Sequence, residues 1–127
     1  MSARTYDLHG VRVFECADEG PRLRNSDDAV AVIGDAMAQG AALTIIPVAR
    51  LDPGFFQLRT GLAGEVAQKF VNYRQRLAIV GNIAALASRS ATLRDFIYET
   101  NRGGALWFLA TRDEVAERLE RGESESE

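Results

Sequence analysis

Residues Phe55–Ile83 read FFQLRTGLAGEVAQKFVNYRQRLAIVGNI, and this stretch decides the fold class. Leu58, Leu62, Val66, Phe70 and Tyr73 recur at three- and four-residue intervals, the spacing of one helical face. The opposite face carries Glu65, Gln68, Lys69, Asn72 and Arg76. A helix is therefore expected across Phe55–Arg76. Leu77–Gly81 follows as a short continuous apolar run, the pattern of a strand covered on both faces. A helix feeding a doubly buried strand is the repeating unit of a parallel sheet. Gly61 and Gly64 each cost such a helix about 1 kcal/mol against Ala. Their presence predicts close approach to the sheet or to another chain.

The same alternation extends outward. Upstream, Leu43–Val48 is a second continuous apolar run, and Asp52-Pro53-Gly54 turns the chain after it. Asn25-Ser26-Asp27-Asp28 reads as a helix start, since side-chain oxygens and carboxylates both suit the positive end of a helix. Capping thus accounts for the acidic pair. Ala29, Val30, Ile33, Ala36 and Met37 form the inward stripe, and Gly40 ends it. Thr5–Leu8 and Val11–Ala17 are β-prone runs separated by His9-Gly10, a pair that tolerates the positive φ of a tight hairpin. Val11, Val13, Phe14 and Cys16 do not alternate cleanly, which leaves the register open.

Downstream, Ser88 or Ser90 opens a helix with Leu93, Phe96 and Ile97 inward, and Asn101–Gly104 stops it. Ala105–Ala110 is a strand, with Trp107 in the core. Thr111 and Glu114 form a capping box, and the last helix runs to about Arg121. The order is β-β-α-β-α-β-α-β-α. It predicts one α/β domain over residues 1–121, with a mostly parallel mixed sheet flanked by helices. Residues 122–127 alternate Glu and Ser without apolar partners and are expected to be disordered.

The chain has 127 residues and a formal net charge of −3, with both signs mixed along it. That balance argues against nucleic acid as partner. Lys69 is the only lysine among many arginines, as a GC-rich bacterial coding bias would produce. One Cys, Cys16, and one His, His9, lie apart. An internal disulfide is impossible, a reducing cytoplasm is the simpler setting, and a zinc site or a His-based triad is not expected. No stretch reaches the ~18 apolar residues of a membrane span. No catalytic residues, metal ligands or cofactors are assigned.

The string quoted above, with LRDFIYETNRG at Leu93–Gly103, closely resembles the bacterial family called domain of unknown function 4180. That name implies kinship and no activity. The order of elements is also similar, more distantly, to the sulfate-transporter and anti-sigma-factor-antagonist (STAS) domain. Regulatory STAS members carry Ser or Thr, then Gly and Leu, at the start of the helix after the central strand. Thr60-Gly61-Leu62 stands there, with Arg59 in place of the usual preceding acid. The resemblance implies an STAS-like fold and a hydroxyl whose phosphorylation switches partner binding.

Thr60 is accordingly the phospho-acceptor candidate, and Arg59 would pair with the phosphate. Glu65, Gln68, Asn72 and Arg74 join Arg59 as a recognition surface, because amides lose water at lower cost than charges do. Phe55 and Phe56 are adjacent, so one is expected to be exposed and to mark an interface or pocket rim. Tyr98 raises the same expectation. Asn82 ends a parallel strand, where open α/β sheets bind ligands. Glu99, Asn101 and Arg102 end a helix, with Asn101 also readable as a left-handed stop. The leading expectation is a non-enzymatic regulatory or interaction module, docking a protein partner or a second copy as a homodimer. The alternative is a small-molecule binder or small enzyme with Arg59 holding an anion at the strand ends.

Overall fold

The computed structural model describes residues 3–125. Strands β1 (Arg4–Leu8), β2 (Val11–Glu15), β3 (Leu43–Pro47), β4 (Arg76–Val80) and β5 (Leu106–Leu109) form one sheet in sequential order. His9 and Gly10 join β1 to β2 at φ 49° and 82°. Positive φ at both central residues makes a hairpin whose twist matches the strands, so β1 and β2 pair antiparallel. The remaining neighbours, β2 to β5, are parallel. The α/β class and the mixed, mostly parallel sheet match the expectation.

Parallel neighbours require crossovers, here α1 (Ser26–Ala38), α2 (Leu62–Asn72) and the pair α3 (Ile83–Ala87) and α4 (Ala91–Asn101). Every crossover steps in the same direction across the sheet. Right-handed connections then put these helices on one face. Ile33, Val66, Phe70 and Ile97 accordingly pack with Phe14, Ile46 and Ile79 in the larger core. α5 (Arg112–Glu125) covers the other face, where Val115 and Leu119 meet Val13, Ile45, Ala78 and Trp107. Because β2 is covered on both sides, Val13, Phe14, Glu15 and Cys16 are all buried. That double burial is why β2 does not alternate.

Three local readings are corrected. The helix expected over Phe55–Arg76 is α2 alone, preceded by 3-10 turns at Pro53–Phe56 and Leu58–Thr60. Gly61, at φ 78°, breaks the chain between turn and helix. Met37 and Tyr73 are exposed, not inward. Within the chain Gly61 and Gly64 approach nothing closely, whereas an added Cβ at Gly81 would lie 2.6 Å from Val48 Cγ2. α3 was not expected. Asn82 Oδ1 caps it by accepting the Ala85 N–H at 3.1 Å.

The helix ends follow their caps. Asn25 Oδ1 accepts the Asp28 N–H at 2.9 Å, and the Asp28 carboxylate accepts the Arg24 N–H at 2.8 Å. α2 closes with Arg74 at φ 58°. There the Gln75 N–H reaches the Phe70 carbonyl at 2.8 Å and the Arg74 N–H reaches Val71 at 2.9 Å, a Schellman motif. Thr111 and Glu114 cap α5. Helix continues through Glu125, past the expected end near Arg121, because one Gly costs only about 1 kcal/mol and need not stop it. Of the tail expected to be disordered, residues 126–127 lie outside the described residues.

Candidate functional site

The segment between β3 and α2 and the link between α3 and α4 meet at one groove. Asp52 starts the first segment, its carboxylate accepting the Gly54 N–H at 2.9 Å. Phe55 and Phe56 close the 3-10 turn that follows, and both side chains are buried. Their exposures are 1% and 8%, and their rings meet edge-on with centroids 5.1 Å apart. Neither is the exposed interface marker expected from the sequence. Phe56 instead forms part of the floor of an open groove.

That groove has a volume of about 430 Å³. Phe56 and Leu93 supply its apolar wall, with Leu58 half-buried beside them. Arg59 and Arg89 line it, as do Gln57, Ser90 and Thr92. Ser90 caps α4, its oxygen accepting the Leu93 N–H at 3.0 Å, which leaves its own proton to donate. Among the described residues, neither Arg59 nor Arg89 has a carboxylate within 4.0 Å. The groove is thus concave, largely apolar and rimmed by two uncompensated cations.

Thr60 lies on the other side of the same turn. Its Oγ1 accepts the Leu62 N–H at 3.1 Å and faces the Gln57 and Gly54 carbonyls at 2.8 and 2.9 Å. Gly61 holds the backbone N-cap position of α2, and the Thr60 hydroxyl caps the helix from one residue earlier. Thr60 is exposed and borders a second concavity of about 300 Å³ with Arg24, Asn25, Asp52 and Glu65.

Apart from Glu65, which borders the Thr60 concavity, the other sequence candidates converge on neither site. Glu65, Gln68, Asn72 and Arg74 are exposed on or after α2, and Gln68 Nε2 donates to Asn72 Oδ1 at 2.8 Å. Asn82 is the α3 cap described above. Glu99 and Arg102 form an exposed pair at 3.7 Å. Asn101 is the last residue of α4, not a left-handed stop. Its side-chain amide donates to the Phe108 carbonyl at 3.0 Å and accepts the Phe108 N–H at 2.6 Å. Tyr98 is 65% exposed, under the Arg102 guanidinium.

One cluster was missed. Glu15 is 3% exposed yet carries a carboxylate. Tyr6 donates to its Oε1 at 2.6 Å and Arg4 at 3.0 Å, while Arg112 of α5 donates to Oε2. Burial alone would raise the Glu15 pKa. The hydrogen bonds from Tyr6, Arg112 and Arg4 outweigh it and hold the carboxyl below its ordinary value. Burial, then the bond to Glu15, pushes the Tyr6 phenol up to about 12. A Glu inside an apolar β run was the only available sign. Nothing local pointed to Arg112. Among the described residues no group of three His, Cys, Asp or Glu side chains is placed to hold a metal. Nor is any described helix long and apolar enough to cross a membrane.

The family model for a domain of unknown function, DUF4180, matches residues 8–119. The chain belongs to the DUF4180 family. The match takes in both the groove and the Glu15 cluster except Arg4 and Tyr6, which precede it. No curated protein and no solved structure matches significantly.

Proposed function

We propose that this DUF4180 protein is a non-enzymatic regulatory module that binds a small molecule in the groove beside Arg59. The observation that carries the reading is the groove itself. It combines drug-sized volume, an apolar wall and convergent polar groups, the general make-up of ligand sites. A thermal-shift screen of small metabolites tests it. At least one compound is expected to raise the melting temperature, and Arg59→Gln is expected to reduce that shift. A screen without shifts, or shifts indifferent to Arg59, overturns it.

A second reading concerns Thr60. Its exposed hydroxyl and Arg59 share one short turn, so phosphate at Thr60 would disturb the turn that bears Arg59. The STAS resemblance supports this as a switch, with Thr60 and Gly61 just ahead of α2, which starts at Leu62. Docking of a protein partner, or homodimer formation, has support from the exposed apolar side chains Met37, Val71, Tyr73 and Tyr98. A bacterial cytoplasmic setting fits a lone buried thiol at Cys16. Mass spectrometry after incubation with host lysate and ATP tests the switch. An unmodified Thr60, together with a Thr60→Glu variant that alters no interaction, ends it.

A further inference from the structure

The two groove arginines differ from six other arginines of this chain. Arg4 and Arg112 are tied to Glu15, Arg12 to Asp7, Arg94 to Asp95 and Arg102 to Glu99. Arg50 is spent on the backbone carbonyls of Ala17, Glu19 and Pro21. Arg59 and Arg89 have no such partner among the described residues, and the groove lining contains no Asp or Glu. They come from different connections, after β3 and after α3, so the fold alone brings them to one concavity. A guanidinium presents a planar fork that matches carboxylate and phosphate oxygens.

The rest of the lining restricts the ligand further. Phe56 and Leu93 are almost wholly buried, and both line the groove. Water against that wall is displaced favourably by hydrocarbon. Free inorganic phosphate would satisfy the arginines and leave the wall wet. We infer that the groove takes an organic oxyanion, its carboxylate or phosphate between Arg59 and Arg89 and its apolar body against Phe56 and Leu93. This deepens the groove reading above and rests on it.

Isothermal titration calorimetry on the full chain tests the inference with naphthyl phosphate, naphthoate, neutral naphthylmethanol and inorganic phosphate. Variants are Arg59→Gln, Arg89→Gln and, as a remote charge control, Arg12→Gln. At least one of the two aromatic anions is expected to bind, and the stronger one identifies the head group. Each groove substitution is expected to weaken it about tenfold, the order expected for one charge-assisted hydrogen bond. Arg12→Gln is expected to leave it unchanged. If naphthylmethanol binds as well as the anions and ignores Arg59 and Arg89, the oxyanion class falls while the groove reading stands. If inorganic phosphate binds as tightly as naphthyl phosphate, the apolar body falls. Equal weakening by Arg12→Gln reduces the effect to net charge and overturns the inference. Absence of binding by all four overturns the inference, while the groove reading is decided by the metabolite screen.

Discussion

The side-chain amide of Asn101 pairs with both backbone groups of Phe108, one bond donated and one accepted. β5 is the last strand of the sheet, and its inner side is already paired with β4. Asn101 therefore acts as a one-residue substitute for a further strand. An edge so occupied is less able to pair with another chain. The residue suggested as a ligand group is a structural seal.

Asn101→Ala removes both bonds and leaves a partly buried N–H and carbonyl without partners. A loss of about 2 kcal/mol is expected, near 1 kcal/mol per bond. Chemical denaturation measures it. Asn101→Asp keeps the acceptor and loses the donor, so it is expected to fall between Ala and wild type. Light scattering is expected to rise for Asn101→Ala, since the β5 edge is then open.

Glu15 sets an acid limit. Its carboxyl is held below the ordinary value in the folded chain. The stability it contributes is therefore present above the unfolded value of about 4.3 and is lost as pH falls through the folded value. Glu15→Gln is expected to be less stable at neutral pH by about 2 kcal/mol, the scale of charge-assisted hydrogen bonds. That gap closes in acid, which denaturation midpoints across a pH series will reveal.

Tyr6 works in the opposite direction. Its phenol is pushed up to about 12 from 10.0. The folded state thus holds the proton more tightly, and this stability is lost as pH rises through that interval. In an ultraviolet phenolate titration one tyrosine is expected to ionise late. Tyr6→Phe is expected to delete that late step and no other.

Arg74 occupies a left-handed position at φ 58° that glycine fills without strain. Arg74→Gly is expected to stabilise the protein by roughly 0.5 to 1 kcal/mol, after allowing for the freer unfolded chain. A thermal melt at fixed protein concentration checks the sign.

Gly81 is the converse case. A methyl group there meets Val48 Cγ2 at 2.6 Å. Gly81→Ala is expected to cost about 2 kcal/mol, as for an overpacked core. Val48→Ala in the same chain is expected to restore part of it, and a double-mutant cycle reads the coupling.

Elements were legible where a local signal sufficed. His9-Gly10 declared the hairpin, and Leu43–Pro47 declared a doubly covered strand. The start of α2 was not legible. Leu58 keeps helical spacing with Leu62, and only the left-handed Gly61 separates turn from helix. Phe55 and Phe56 misled because adjacent residues point to opposite faces in a strand, whereas in the 3-10 turn before α2 both are buried. Arg59 was singled out in the sequence as a candidate, and the structure puts it on a groove. Arg89 was not, because the fold alone puts it beside Arg59. The Glu15–Arg112 contact spans 97 positions, and neither residue type is unusual by itself.

Backbone amide NMR of the full chain, titrated with naphthyl phosphate and separately with naphthoate, tests the groove most directly, and the tighter binder is the one read. Shift changes are predicted to concentrate at residues 56–59 and 89–93, with smaller changes along the turn to Thr60. No changes, or changes centred on the Glu15 cluster or the outer face of α2, would contradict the assignment of the groove as the ligand site.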